Sequence, residues 1–268
     1  MNITDFSYYW RGKELRQLDK GEAKLLAPVD IRKKGNESAI LLLHGFASTP
    51  AVFRLIIPAL STYDAIICPA LPGHCLSISE FSNFNATKLL STTENICESL
   101  IKNYKRVDVL GLSLGGLLAC HLSERFSLNH LYLLAPALAL TINIPLSLKL
   151  AKILKMVGFK NLNNRAGNLC SELHNEICYN RLPISSIMAI LTMIRDNKFL
   201  APNCPTDLFL GSHDKVVNSV KVAEIFKNIK NCATTWLENS SHVLPLDNDV
   251  DKIITTIQEN QDHRHTDK

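Results

Sequence analysis

No stretch of this 268-residue chain is apolar for long enough to cross a bilayer. The longest runs, AILLL at 39–43 and LYLLAPALAL at 131–140, fall well short of the about 20 residues needed. The opening MNITDFSYYWRGKEL also lacks the continuous apolar region of a secretory signal, so neither export nor an integral membrane segment is expected. No CxxC pair occurs among the eight cysteines (Cys68, Cys75, Cys97, Cys120, Cys170, Cys178, Cys204 and Cys232). A chain of this length needs no disulfide staples, so reduced, mostly buried thiols and a cytoplasmic setting are expected. Charge of either sign is not concentrated. The 29 basic and 25 acidic residues leave +4 with no basic face or tail, so nucleic acid is not an expected partner. Internal repeats and low-complexity segments are absent.

What is present is a hydrophobic fraction of 46%, enough for a large core. Continuous apolar runs alternate with helical patterns. Strands are expected at 39–43, 65–68, 107–112, 131–136, 207–211 and 234–238. Helices are expected in PAVFRLIIPALS after Thr49 as N-cap and Pro50 as first residue, and at about 86–104, in LLACHLSERF, near 219–229 and near 248–259. This rhythm predicts a mostly parallel sheet covered by helices on both faces, with the core at 37–136 and 204–258. Residues 137–203 break it with helical patterns (SLKLAKILKMV, ISSIMAILTMIRD) and no clear strand, which suggests an inserted helical cap. Segment 1–36 gives no usable pattern, and the polar tail 259–268 is expected to fray. Cys170, His174 and Cys178 recur every four residues and would share a helix face. Zinc usually takes four ligands and no fourth is evident, so a packed face is preferred and no metal is expected.

The chemistry sits in Val109-Leu110-Gly111-Leu112-Ser113-Leu114-Gly115-Gly116. This is G-x-S-x-G between a buried strand and a helix, the pattern of a nucleophile elbow. Small residues two before and two after Ser113 let strand and helix approach, and the tight turn lifts the hydroxyl above the sheet edge. A dinucleotide loop would need glycine where Ser113 stands, and a phosphate loop would need Gly-Lys-Ser/Thr, which does not follow. Serine requires a base at neutral pH. His242, in a loop after the final strand, is the best late candidate. His213 would occupy the acid's loop, and His263 and His265 lie in the tail. Asp214, after the strand at 207–211, is the expected acid, with Glu238 and Asp247 as alternatives. Asp207 lies at the wrong end of its strand. The backbone N–H groups of Leu114 and Phe46 are the expected oxyanion donors, and His44 is read as a structural brace.

Five segments in this order resemble the microbial carboxylesterases and, more loosely, the monoacylglycerol lipases of the α/β-hydrolase superfamily: Leu43-His44-Gly45-Phe46, Leu71-Pro72-Gly73-His74, the Ser113 elbow, Gly211-Ser212-His213-Asp214-Lys215-Val216-Val217 and Ser241-His242-Val243-Leu244. The resemblance spans roughly residues 37–258. It implies a Ser113–Asp214–His242 triad, an oxyanion hole at Phe46 and Leu114, and no metal or organic cofactor. The chain departs from the family at Cys75, where glycine commonly follows Pro-Gly-His, and at Ser241, where glycine or cysteine often precedes the histidine.

The expected reaction is hydrolysis of a small-molecule ester through an acyl-enzyme. Acyl transfer or thioester cleavage by the same triad is the alternative, and a non-catalytic binding module is disfavoured because all three residues are present. In the cap, Lys149, Lys152, Lys155, Lys160 and Arg165 interleave with apolar residues. With the apolar side inward, this pattern predicts an apolar wall over Ser113 and uncharged short- to medium-chain esters or monoacylglycerols as substrates. A membrane-facing helix, and with it an interfacial lipase, is the competing reading. Oligomeric state is left open.

Overall fold

The computed structural model describes residues 2–266, with side chains as far as Asp262. The side chains of His263 and His265 and the last tail residues, Asp267 and Lys268, therefore lie outside the described residues. In chain order the strands are β1 (Phe6–Trp10), β2 (Lys13–Gln17), β3 (Val29–Arg32), β4 (Ser38–Leu43), β5 (Ala65–Cys68), β6 (Arg106–Leu112), β7 (His130–Leu134), β8 (Asn161–Asn163), β9 (Glu176–Tyr179), β10 (Arg181–Pro183), β11 (Thr206–Gly211) and β12 (Cys232–Leu237). The α-helices are α1 (Ile78–Phe81), α2 (Ala86–Asn103), α3 (Leu114–Arg125), α4 (Ile144–Met156), α5 (Ile184–Asp196), α6 (Ser219–Phe226) and α7 (Val250–Thr266).

Seven strands form the central sheet in the order β12-β11-β7-β6-β4-β5-β3, parallel throughout except for the antiparallel edge strand β3. Their continuous apolar runs follow from burial on both faces. Ile40, Leu42, Leu110, Tyr132, Leu134 and Phe209 project to one side and pack with Ile253 and Ile257 of α7. The alternate residues Leu41, Leu43, Val109, Leu131, Leu133 and Leu208 project to the other and pack with α2, α3 and α6. Each such side chain, fully buried, contributes about 1.5–3 kcal/mol.

Several elements differ from expectation. PAVFRLIIPALS is two short 3₁₀ turns, Pro50–Phe53 and Ile57–Leu60, rather than one helix. Pro58 supplies no N–H and its ring crowds the preceding turn, which breaks an α-helix there. Pro50 does open the first turn, but the Thr49 side chain makes no capping bond. The tail does not fray at 259, because α7 continues to Thr266. Amide side chains anchor it: Asn260 donates to Asp207 at 2.8 Å and Gln261 to Asp108 at 3.0 Å.

Segment 137–203 holds the two patterned helices, α4 and α5, and also β8, β9 and β10, which the pattern did not reveal. Cys170 and His174 precede β9 and Cys178 lies within it, so the expected shared helix face does not exist. Segment 1–36 is structured too. β1 and β2 form a hairpin whose tip, Arg11-Gly12, has φ of +47° and +78°, the left-handed pair of a tight two-residue turn. β1 then pairs antiparallel with β9, which attaches the start of the chain to the insertion.

Candidate active site

β6 ends at Leu112 and α3 begins at Leu114, so Ser113 alone makes the turn, with φ +54° and ψ −110°. A non-glycine residue is strained there and must be held by its surroundings. Three backbone bonds do so: Ser113 N–H donates to the Leu134 carbonyl (2.9 Å), while the Ser113 carbonyl accepts from Leu117 (3.0 Å) and Ala137 (3.0 Å). The neighbouring glycines are required sterically. A Cβ on Gly111 would strike the backbone of Gly115, and one on Gly115 would strike the Leu43 carbonyl.

Asp214 follows β11 and His242 follows β12, at the same sheet end as Ser113. Asp214 Oδ2 accepts from His242 Nδ1 at 2.8 Å, and Oδ1 accepts from the Val216 (2.7 Å) and Val217 (2.9 Å) amides. The carboxylate is thus buried and held from both ends. With Nδ1–H bound to Asp214, the neutral ring carries its lone pair on Nε2. Burial pulls the His242 pKa down, but the charge and hydrogen bond of Asp214, helped by Glu176, outweigh it and leave the pKa raised above 6.5. Ser113 and His242 line one cavity of about 200 Å³.

The other acids considered are engaged elsewhere. Asp207 bonds His130 at 2.8 Å, at the far end of the sheet. Glu238 accepts from the Ser212 hydroxyl at 2.8 Å. Asp247 accepts from the amides of Cys170, Ser171, Ser241 and Asn248, clamping the insertion to the His242 loop. His213 is exposed in the loop beside Asp214.

Leu114 is the first residue of α3, so its N–H has no partner within the helix. Phe46 lines the same cavity, and the adjacent Gly45 is so near that a Cβ there would lie 3.6 Å from Ser113 Cβ. Two histidines hold this loop. His44 Nδ1 donates to the Gly45 carbonyl (2.9 Å) while Nε2 accepts from Leu71 N–H (3.0 Å). His74, from the second loop, accepts in return from Ala47 N–H (3.2 Å). Burial lowers the pKa of both, that of His44 to about 4, which keeps them neutral acceptors. Cys75 has φ +59°, a left-handed conformation that favours glycine. Ser241 Oγ lies 3.2 Å from Cys170 Sγ.

The roof differs from expectation. The helices α4 and α5 do not line this cavity. Residues 164–168, Glu176, Cys178 and Leu182 do. On α4 only Leu148 and Ala151 are buried, whereas Leu146, Leu150, Ile153 and Met156 stay exposed beside the lysines, so the apolar side is not simply inward. Sequence reasoning missed Asn168 and Glu176. The Asn168 carbonyl accepts from the amides of His242 (3.1 Å) and Val243 (3.2 Å), and its side chain accepts from the Lys215 amide (3.1 Å). Glu176 is a buried carboxylate in the cavity wall, with Oε2 accepting from Gly167 N–H at 2.9 Å. No local pattern signals either residue. A larger cavity of about 720 Å³ between α2, α3 and α5 is lined by none of Ser113, Asp214, His242, Phe46 and Leu114. Among the described residues, no three His, Cys, Asp or Glu side chains gather as a metal site, and no helix is long and apolar enough to cross a membrane.

A parallel sheet with a strained serine between strand and helix, and an acid and a histidine after the last two strands, defines an α/β hydrolase. The Alpha/beta hydrolase family model matches residues 40–255, and the chain belongs to that family. It is 26% identical over 225 residues to a thermostable monoacylglycerol lipase of Bacillus sp. (strain H-257), covering 80% of this chain and 86% of that one. It is 23% identical over 246 residues to a carboxylesterase of Bacillus subtilis (strain 168), covering 88% and 97%. Among solved structures, it superposes on one from a study of two metagenome-derived lipolytic enzymes, LipS and LipT, with a TM-score of 0.76 at 21% identity, covering 87% and 96%. The protein is a hydrolase with lipase- and esterase-like relatives.

Proposed function

We propose that this hydrolase cleaves carboxylic esters through an acyl-enzyme on Ser113. The single observation that carries the reading is the 2.8 Å bond from His242 to Asp214, with His242 and Ser113 open to one cavity. In this reaction the Ser113 hydroxyl attacks the ester carbonyl and His242 Nε2 takes its proton. The Phe46 and Leu114 amides receive the oxyanion, an interaction worth about 3–4 kcal/mol per donor in such sites. The tetrahedral intermediate collapses as His242 returns the proton to the leaving alcohol. Water, activated by the same imidazole, then frees Ser113. A cavity of about 200 Å³ lies below the usual ligand-pocket range of about 300–1,000 Å³, which favours a short acyl group. Ser113→Ala tests the reading. It should abolish ester turnover and fluorophosphonate labelling while the fold persists, and labelling retained at another serine overturns it. An added alcohol acceptor separates hydrolysis from acyl transfer by the product ratio.

One observation favours an interfacial variant of this activity. Leu146, Leu150, Ile153 and Val157 recur at helical spacing, all exposed, with Lys149, Lys152 and Lys155 between them. An apolar stripe flanked by lysines suits transient contact with an anionic lipid surface.

A further inference from the structure

Beyond His242 lies a second cavity of about 560 Å³ with a different character. Arg11, Arg165, His213 and Lys215 line it, and no carboxylate does. It adjoins the catalytic cavity, since Arg165, Asn168 and Val216 line both. The basic groups arrive from three parts of the chain. The hairpin tip carries Arg11, whose guanidinium donates to the carbonyls of Leu169 (3.3 Å) and Cys170 (2.7 Å). The insertion carries Arg165, and the Asp214 loop carries His213 and Lys215. Among the described residues, neither Arg165 nor Lys215 has a carboxylate partner. Glu172 meets Arg11 at 3.8 Å, with its side chain largely exposed. The remaining nearby acids face elsewhere: Asp214 is fixed by His242, and Asp247 by four backbone amides. Glu176 lies on the wall of the catalytic cavity, not the second one.

Charge is therefore graded across the two cavities: Glu176 lines only the catalytic one, Arg165 sits where the two meet, and His213 and Lys215 line only the second. The catalytic cavity contains a buried carboxylate, which disfavours a second negative charge there. The cavity beyond His242 contains Arg165 and Lys215, which have no carboxylate partner among the described residues. The leaving oxygen of an ester takes its proton from His242, so the alcohol half departs past the imidazole, toward Ser241 and Lys215. We infer that the preferred esters carry an anion, a carboxylate or phosphate, on the alcohol half, seated against Arg165 and Lys215, with a short uncharged acyl half beside Glu176. This rests on the ester-hydrolase reading and narrows it, replacing the expectation of wholly uncharged substrates. A charge-assisted hydrogen bond is worth about tenfold or more in binding, less where the cation is exposed and screened by salt.

Three matched esters test the placement: phenyl acetate, the acetate ester of para-hydroxybenzoate (anion on the alcohol half) and phenyl hemisuccinate (anion on the acyl half). For each, kcat/KM is corrected for the rate of alkaline hydrolysis. The wild type should prefer the alcohol-half anion over phenyl acetate and disfavour the acyl-half anion. In Arg165→Met and Lys215→Met, the ratio of alcohol-half anion to phenyl acetate should fall about tenfold. In the wild type the same ratio should fall as salt rises. Equal losses for the anionic and neutral esters, a salt-insensitive ratio, or a preference for hemisuccinate overturns the inference. A separate arm needs no turnover: calorimetric titration with para-hydroxybenzoate and with phenol. Tighter binding of the anion by the wild type, lost in both variants, supports the subsite even if no ester is cleaved. Equal binding of the two alcohols with ester turnover intact refutes the subsite and leaves the hydrolase reading standing.

Discussion

Asp214→Asn keeps the shape of the acid and removes its charge. In the wild type one carboxylate oxygen is held by the Val216 and Val217 amides and the other faces His242 Nδ1. An asparagine placed by the same two amides turns its NH₂ toward the ring. Nδ1 must then accept, the proton moves to Nε2, and the imidazole presents no lone pair to Ser113. The charge is lost as well. For charge centres roughly 4 Å apart at an effective dielectric of about 20, that interaction is worth about 4 kcal/mol, or about three orders of magnitude in rate. The same change in a serine protease triad costs about 10⁴ in kcat. The expected outcome is a fall of about 10³–10⁴ in kcat/KM for a neutral ester, measured across pH against the wild type. The acid limb of the profile should move to lower pH, because burial, which pulls the His242 pKa down, is then no longer outweighed by Asp214. Stability gives an independent sign. A raised His242 pKa means the ion pair stabilises the wild type fully below about pH 6.5 and loses that contribution as pH rises through the folded value. The gap in Tm between wild type and variant should be widest below pH 6.5 and narrow as pH rises through the folded value. A loss under tenfold with an unmoved acid limb refutes the reasoning, and a severe loss on Glu238→Gln instead reassigns the acid.

Gly115→Ala drives a methyl group into the Leu43 carbonyl and to within 2.9 Å of the Leu43 Cβ, where neither backbone has room to give. Urea unfolding should show a loss of about 3 kcal/mol, and an unchanged midpoint counts against the close packing of α3 on β4. Asp247→Asn strips the charge from a carboxylate that accepts four amide bonds. It should cost about 2–3 kcal/mol and loosen the His242 loop, read as lower kcat together with lower Tm; a change in KM alone contradicts that role. Leu150→Asp on the exposed α4 stripe should weaken binding to anionic vesicles severalfold with little effect on monomeric substrate, and equal vesicle binding by both proteins removes the interfacial variant.

The central sheet was legible because a strand buried on both faces is apolar almost throughout, as AILLL and AIIC are; VDVLGL departs only at Asp108, whose buried carboxylate accepts from Tyr63, Asn129 and Gln261. The elbow was legible because its steric demands fall within five consecutive residues. β2 was not, since all five of its residues are exposed and it reads KELRQ. β9 consists of four buried residues whose paired strand, β1, comes from the far end of the chain. Asn168 and Asp247 act through bonds to backbone amides distant in sequence, and an amide carries no side-chain signature. The lysines of α4 suggested an inward apolar side, yet the exposed leucines between them follow from what that helix packs against, which periodicity does not encode.

The paired histidines between the Gly45 and Gly73 loops set a floor under the working pH. Each must stay uncharged to accept its amide, and the unfolded chain binds those protons near pH 6.5, whereas folded His44 resists until about pH 4. Between those values every step toward acid favours the unfolded chain, and below the lower one His44 Nε2, once protonated, has only a hydrogen to offer the Leu71 amide. Acid therefore loads the contact between the Gly45 and Gly73 loops, and with it the backbone around Phe46, which the proposed mechanism uses to receive the oxyanion.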